Sequence, residues 1–547
     1  MLGIGLSIWQ DVWGQTGGGA DGAASSAAAL MLASEAQGLA LDFSDSAFFA
    51  SLGLYGSAKV KDTGTPANNY DSEPGGLLSF SGTTKLTRQA DGVYRFQPHN
   101  LFLSSAAPAT QTITVVSGAS YKVSITGAGQ IVLSGAGSAT VTAGSPATFT
   151  ASTASLVCTV SGGPTTAHVR RTPCDDTYLV AGASAKYGLP YEWNASGVLQ
   201  GIFVEPQATN LLLYSTTIGN AAWQKLNVST ASATGLDGAS SATVVTPTGT
   251  SSFHFIAENA LTVSGGTATH SVYAKANGYK KIALKEGTAS GVYASFDLSS
   301  GTVLAATASA PSIVAVGAGW YRLTMRVDAN TTQGFQINIL ASGYTTGDPN
   351  GSQFVGDGAS GVYLWGAQLE PGSIATSPII TYGAQVTRAA EDIYLDASKL
   401  PSIAAEYSTI TEVAFQLATS VSNSVPIATN ASGIYGVGNG SLLRFSSSAV
   451  AEAGGNNSAV PKAIVPSLAN AEIIRLAASF RDSDNRCSLT ARGANVSTMT
   501  TLDWTGAHNR MQIGALSSSG VHSLNGYLRK VIVVPRYDEA WIVSKSA

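Results

Sequence analysis

The sequence has few charged side chains, which make up 11% of its 547 residues, against about a quarter in an average soluble domain. Long charge-rich helices are therefore excluded as its main building element. A formal net charge of −4 at pH 7 also leaves no excess of basic residues of the kind that nucleic-acid binding requires. Disorder is not indicated either, because 44% of the residues are hydrophobic and such a chain can bury a core.

Cysteine is equally scarce. Cys158, Cys174 and Cys487 contain no Cys-x-x-Cys pair and are odd in number, which argues against a zinc site and a disulfide framework. A bridge from Cys158 to Cys174 and three free thiols are the two alternatives.

The first lysine is Lys59, so the apolar start has no basic flank of the kind that a secretory signal carries. Apolar runs near the N-terminus also fall short of the roughly 18 residues that span a bilayer, and we expect no membrane insertion.

Glycine, alanine, serine and threonine are abundant instead, and from residue 111 short segments alternate apolar and polar residues between Gly/Ser turns. This pattern is typical of β-strands, and the length is enough for several cores. We predict an all-β fold of β-sandwich and jelly-roll modules in series. The predicted parts are an N-terminal attachment segment 1–36, a connecting β region 37–105, a small β-sandwich 106–170, a linker and opening strand 171–207, a jelly roll 208–395 and a last sandwich 396–547.

The attachment segment 1–36 has an apolar tip formed by Leu2, Ile4, Leu6 and Ile8. A segment of this kind can add as a strand to the sheet edge of another subunit. We therefore predict that it attaches the chain to another protein subunit, with a disordered leader as the alternative.

An internal echo links residues 91–105 with residues 201–215. Each stretch contains a proline, then an asparagine (Asn100 or Asn210), then an apolar run. Each precedes a predicted sandwich, so we expect both to open a module and staple it to the preceding one. No repeat with the short period of a solenoid is present.

The stretch 201–215, followed by Trp223, resembles the opening of a carbohydrate-binding-like module of tailed-bacteriophage tail and head-fibre proteins. Further motifs of that family follow in order at 271–275, 319–323, 363–372, 377–380 and 387–392. Residues 396–547 resemble a concanavalin A-like, laminin-G-type sandwich. The small sandwich 106–170 is similar to one found in the same phage proteins.

The resemblance implies a virion structural protein, a head or tail fibre or spike subunit, that binds host cell-surface carbohydrate through its C-terminal sandwiches. Its partners would be capsid, portal or tail proteins at the N-terminus and host polysaccharide at the other end. It would be located on the particle surface after assembly in the host cytoplasm. We expect a homo-oligomer, with a trimer favoured, because closed assemblies cover exposed sheet edges. A non-binding head decoration or minor tail protein and a virion-borne glycan depolymerase are the alternatives.

Carbohydrates are held by aromatic rings together with polar side chains, so aromatic residues in or beside turns are candidate contacts. The candidates are Trp223, Tyr279, Tyr344 and Trp504; for each, a place in the core or at its rim is the alternative. Trp320 and Trp365 lie within predicted strands, which favours burial in the core.

No catalytic or transition-metal site emerges from the sequence. Glu205 and Glu370 each precede a proline, where a structural hydrogen bond is the simpler role, and no two histidines have the i, i+4 spacing of a helical metal pair. We predict no enzymatic activity and no cofactor other than Ca²⁺. The turn 345–350 with Asp348, and Asp357 nearby, offers the oxygen ligands that Ca²⁺ prefers, while an ordinary Asp/Asn turn is the alternative.

Overall fold

The structure is a computed structural model, and strands dominate it. It describes residues 39–44, 49–52, 78–174, 176–287, 291–328, 330–396, 405–415, 424–430, 442–447, 450–454, 462–464, 472–484, 486–491, 496–499, 510–515 and 523–546. The all-β prediction is confirmed. Within these residues no helix is long and apolar enough to cross a membrane, and all three cysteines are free thiols. The predicted attachment segment 1–36 lies outside the described residues.

A small sandwich, which we call the first module, contains two antiparallel sheets. In the strand Ser120–Gly127 buried and less buried residues alternate, as expected when one face of a sheet covers a core and the other faces solvent. One sheet contains Gln111–Thr114, Gln130–Gly135, Ala139–Thr142 and Ser155–Ser161; the other contains Ser120–Gly127, Ala147–Thr150 and Pro164–Arg171.

A larger sandwich, the second module, contains two six-stranded antiparallel sheets. One has Gln224–Leu226, His254–Thr262, Lys281–Glu286, Tyr293–Asp297, Thr302–Ala306 and Thr332–Ile339. The other has Val228–Ala233, Ala242–Pro247, Ala268–Asn277, Ser309–Gly317, Trp320–Val327 and Gly361–Pro371. Trp320 and Trp365 are buried, 5% and 0% exposed, which confirms their predicted place in a core.

The third sandwich, which we call the base, draws its strands from widely separated parts of the chain. Its nine-stranded sheet contains Leu39–Asp42, Phe49–Leu52, Tyr191–Trp193, Leu199–Val204, Glu406–Ala414, Ile473–Arg481, Arg486–Ala491, Ser497–Met499 and Gly526–Val534. Its seven-stranded sheet contains Ser79–Ser81, Asp392–Asp396, Ser424–Asn430, Leu442–Ser447, Val450–Gly454, Lys462–Ile464 and Arg510–Ile513. The helix Glu539–Ser546 packs on the base through Trp541 and Ile542.

The strand Gly526–Val534 holds the base together. One edge pairs with Glu406–Ala414, and the other pairs with both Leu39–Asp42 and Leu199–Val204. The structure therefore differs from the predicted linear series, since the two modules are insertions into a base that begins before them and closes after them. The region 37–105, predicted as a connection, supplies strands to the base instead.

Short strand pairs tie the modules to their surroundings. His99–Asn100 pairs with Lys186–Tyr187 at the first module, and Ala208–Asn210 pairs with Val386–Arg388 at the second. The remaining short elements are Leu86–Arg88 paired with Tyr94–Phe96, Ser251–Ser252 paired with Phe354–Val355, and the 3₁₀ turn Pro349–Gly351.

Asn100 closes the neck of the first module and is fully buried. Its amide nitrogen donates to the carbonyl oxygens of Ala167 and Leu179 at 3.0 and 2.9 Å. Its side-chain oxygen accepts from the backbone N–H groups of Phe102 and Val169 at 3.0 and 3.1 Å. One side chain thus holds the segments that enter and leave the module.

Asn210 does the same for the second module and is also fully buried. Its amide nitrogen donates to the carbonyl oxygens of Ala367 and Ile379 at 3.0 and 2.9 Å. Its oxygen accepts from the N–H groups of Leu212 and Leu369 at 3.1 and 3.2 Å. The echo read in the sequence is therefore a repeated structural clamp, which we call the asparagine clamp.

A buried ionic cluster fixes the second module to the base. Lys85 Nζ lies 2.8 Å from Glu205 Oε2 and 3.2 Å from Glu391 Oε1, and it donates to the carbonyl oxygen of Phe203 at 2.5 Å. Arg388 Nη1 is 2.8 Å from the same Glu205 oxygen. Burial opposes ionisation of Glu205, yet the two cations hold its pKa below the usual range. We call Lys85, Glu205, Arg388 and Glu391 the junction cluster.

Glu370 is a further buried carboxyl group beside the junction cluster. Its pKa is dominated by burial and not by neighbouring cations. Its carboxylate oxygens accept from the N–H of Thr376 at 3.1 Å and from the amide of Gln368 at 3.0 Å. Burial outweighs these bonds and the nearby Arg322, and raises its pKa from 4.5 to about 7. The predicted structural role of Glu370 agrees with these contacts.

This shift predicts how stability depends on pH. Because the folded pKa is above the unfolded one, the contribution of Glu370 is complete below pH 4.5 and is lost as the pH rises through about 7. The Glu370→Gln variant cannot ionise. We expect the free energy of unfolding of the native protein, relative to this variant, to fall by on the order of 1–3 kcal/mol between pH 5 and 8. Urea titrations of both proteins measure it, and a constant difference across this range would refute it.

Candidate functional site

A pocket opens at one end of the second module, where the chain crosses from one six-stranded sheet to the other. The strand Ala268–Asn277 belongs to one of these sheets and Lys281–Glu286 to the other, and residues 278–280 connect the two strands. The pocket has a volume of about 330 Å³, within the size range of small-ligand sites. Its lining is polar apart from one ring and one leucine, and includes Tyr279, Lys280, Lys281, Asp297, Ser299, Leu340, Ser342, Asp357 and Ser360.

Tyr279 supplies the aromatic surface of this pocket. Its ring packs against Phe354, with 5.3 Å between the ring centroids, and its hydroxyl oxygen accepts from the N–H of Asp357 at 3.3 Å. The side chain is half-buried, so it is supported on one side while part of it borders the pocket. Gly278 allows this turn, because it has a φ of +101° and a Cβ there would lie 2.3 Å from that of Ser360.

Two carboxylates line the pocket as hydrogen-bond acceptors. Asp297 accepts from the N–H and the hydroxyl of Ser299 at 2.8 and 2.5 Å. Asp357 accepts from the N–H groups of Ala359 and Ser360 at 2.9 and 2.8 Å. Hydrogen bonds from Ser360 and Ala359 hold the pKa of Asp357 below its usual range. Both turns thus present ionised oxygens, which accept hydrogen bonds from ligand hydroxyl groups.

Two lysines complete the lining. Lys281 Nζ donates to the carbonyl oxygen of Tyr344 at 2.6 Å, which fixes its position. Lys280 is exposed at the pocket rim. The pocket therefore combines a ring, two anions, two cations and several hydroxyl groups. This set can bind a ligand that has many hydroxyl groups and one apolar face.

The structure places the aromatic candidates in different environments. Tyr279 lines the pocket. Trp223 is 1% exposed; its indole N–H donates to the carbonyl oxygen of Tyr214 at 3.0 Å and its ring meets Phe335 edge to face. A ring enclosed in this way has no free face for a sugar, so the assignment of Trp223 as a ligand contact is corrected to a core residue.

Tyr344 is also corrected as a ligand contact, because it is 8% exposed and its hydroxyl donates to the carbonyl oxygen of Gly347 at 2.6 Å. It acts indirectly, since its own carbonyl oxygen holds Lys281. Trp504 lies outside the described residues.

The candidate calcium ligands serve other roles in the structure. Asp348 forms an ion pair with Lys285 at 2.7 Å and accepts from the N–H of Asn350 at 2.8 Å, capping the 3₁₀ turn Pro349–Gly351. Asp357 caps its own turn, as described above. Among the described residues no three His, Cys, Asp or Glu side chains converge to hold a metal ion. Asp348 therefore fits the alternative interpretation of an ordinary turn residue.

Lys280, Lys281 and Asp297 were missed by the sequence analysis. Lys280 and Lys281 come from the crossing between the two sheets, and Asp297 comes from the end of the strand Tyr293–Asp297. The one local signal is the run 278–281, a glycine followed by an aromatic residue and two lysines between two strands.

Comparisons with known proteins give little. No family model and no curated protein matches the chain. Among solved structures it matches Trypanosoma rangeli sialidase in complex with sialic acid, at 10% identity over 55% of this chain and 59% of that chain, with a TM-score of 0.21. It also matches that sialidase in complex with the inhibitor DANA, at 11% identity over 85% and 93% of the two chains, with a TM-score of 0.20. The chain thus spans 59% of the first matched structure.

The prediction that the chain is not an enzyme is wrong by this comparison, because the matched structures are enzymes, and we withdraw it. TM-scores of 0.20 and 0.21 nevertheless carry no argument for a shared fold or for sialidase chemistry in this chain.

Proposed function

We propose that the chain is a structural subunit of a tailed-phage virion, a head or tail fibre or spike, that binds host cell-surface carbohydrate through the pocket at Tyr279. The pocket carries this proposal. A sugar ring offers C–H faces that pack on an aromatic side chain and hydroxyl groups that bond to carboxylates, and Tyr279, Asp297 and Asp357 supply both kinds of contact in one place. The volume of about 330 Å³ suits a ligand of one or two sugar rings.

The virion part of the proposal is supported by the positions of the motifs that resemble phage fibre proteins. Three of them lie on the neighbouring strands Ala268–Asn277, Trp320–Val327 and Gly361–Pro371 of one sheet. A set of motifs that are adjacent in space is consistent with one structural unit shared with those proteins.

The structure changes which part of the chain we propose to face the cell. The strand Leu39–Asp42 pairs with Gly526–Val534, so the chain that follows an N-terminal anchor runs directly into the base. We therefore propose that the base lies near the particle and that the second module presents the pocket. The homo-oligomer, with a trimer favoured, remains part of this proposal.

Replacing Tyr279 by alanine should weaken glycan binding by roughly tenfold or more, because it removes the one aromatic surface in the pocket lining. The Tyr279→Phe variant keeps the ring and is the matched control, so it should bind nearly as well as the native chain. A glycan array probed with the full chain, followed by titration of the best ligand, measures both effects.

Two results would count against the proposal. If the native full chain binds no glycan at millimolar concentration, the alternative of a non-binding virion structural protein is the better one. If Tyr279→Ala binds as tightly as the native chain, the binding site is not this pocket. Antibody labelling of purified particles tests the virion assignment separately.

A further inference from the structure

The charges in the pocket are not equally available to a ligand. The carboxylate of Asp297 is bonded to Ser299, and that of Asp357 accepts two backbone N–H groups. Lys281 is bonded to the carbonyl oxygen of Tyr344. Three of the four charged side chains in the lining therefore have fixed partners within the protein.

Lys280 is the exception. Its side chain is exposed and lines the pocket, and among the described residues it makes no hydrogen bond or ion pair. Its position is nonetheless constrained, because its own carbonyl oxygen accepts from the N–H of Leu298 at 2.7 Å. Lys280 thus adds an ammonium group with three free donors to the lining that also contains the ring of Tyr279.

We infer that the pocket recognises an acidic saccharide, whose carboxylate binds Lys280 while its ring packs on Tyr279. This inference rests on the proposed function and names its ligand class. A charged acceptor makes a stronger hydrogen bond to an ammonium group than a hydroxyl does. The carboxylates of Asp297 and Asp357 repel an anionic ligand, but Lys280 and Lys281 balance their charge within the same lining. The lone pairs of the two carboxylates that are not used within the protein accept from sugar hydroxyl groups.

The test uses pairs of ligands that differ in one group. Methyl glycosides of glucuronic and galacturonic acid are compared with the corresponding neutral glucosides and galactosides, and an N-acetylneuraminic acid glycoside with its carboxyl-reduced form. Each is titrated into the full chain by NMR. We expect each acidic ligand that binds to do so roughly tenfold more tightly than its neutral partner, and this preference to decline as salt is raised.

The variant Lys280→Gln should lose the preference for the acidic ligand, so that its affinities for the acidic ligand and for the neutral partner become about equal. Lys275→Gln is the matched control, because it makes the same charge change in the same module at a residue outside the pocket lining. It should leave both affinities unchanged.

Failure of this inference is distinguishable from failure of the proposed function. If neutral and acidic partners bind equally well, or if Lys280→Gln weakens both alike or neither, then the acidic ligand class is wrong while carbohydrate binding through Tyr279 stands. If no saccharide on the array binds the native chain, the proposed function itself falls.

Discussion

Replacing Glu205 by glutamine is expected to destabilise the protein by about 3–5 kcal/mol, because it leaves two buried cations, Lys85 and Arg388, with Glu391 as the one remaining carboxylate of the junction cluster. Glu205 is fully buried and lies 2.8 Å from both Lys85 and Arg388. Its other oxygen accepts from the N–H of Ser377 at 2.7 Å. The substitution keeps the size of the side chain, so the loss reports charge rather than packing.

Calorimetry and urea titration of the full chain measure this effect. The matched control is Asp91→Asn, which removes the exposed ion pair with Arg95, and its cost should be under about 1 kcal/mol. Combining Glu205→Gln with Lys85→Met should cost less stability than the sum of the two single changes. Each single change leaves a buried charge without the partner that lies 2.8 Å away, whereas the double change removes both charges of this ion pair. An unfolding free energy of Glu205→Gln within 1 kcal/mol of the native value would contradict this account.

Replacing Asn210 by alanine should loosen the second module and cost about 3–5 kcal/mol, because two buried carbonyl groups and two buried N–H groups lose their partner together. Asn100→Ala should have the same effect on the first module. Hydrogen exchange locates the damage, since each variant should lose protection at the neck of its own module and keep it at the other.

Asn194 provides the control for the asparagine clamp. Its side-chain oxygen accepts from the N–H groups of Ser196 and Val198 at 2.9 and 3.0 Å, but in a turn that water reaches. Asn194→Ala should therefore cost under about 1 kcal/mol. Equal losses from Asn194→Ala and Asn210→Ala would mean that burial of the clamp contributes nothing.

Local patterns in the sequence were enough for the fold class and for much of the core. Alternation of apolar and polar residues predicts strands of the first module such as Ser120–Gly127, because one face of that strand covers a core and the other is turned toward solvent. The burial of Trp320 and Trp365 follows from their places within strands. The pairing of Leu39–Asp42 with Gly526–Val534 has no local signal, since register between such distant segments is set only when the whole sheet forms.

The pocket was harder to predict for a different reason. The motifs that carry the family resemblance include Glu205, Asn210, Glu370, Arg388 and Glu391, and these residues build the asparagine clamp and the buried charges next to it. Those motifs therefore report how the second module is held rather than what it binds. The residues of the pocket lie between the motifs, and of them the sequence analysis singled out Tyr279 and Asp357.

The strand Gly526–Val534 also determines when the base can fold during synthesis. During synthesis both modules leave the ribosome with all their strands, and domains generally fold as units while the chain is still growing. The base has no such opportunity, because its early strands wait for a partner that is made several hundred residues later. A chain that stops before Gly526 would therefore carry two folded modules on an open sheet, and its exposed edges mark it for aggregation or degradation before it reaches an assembly.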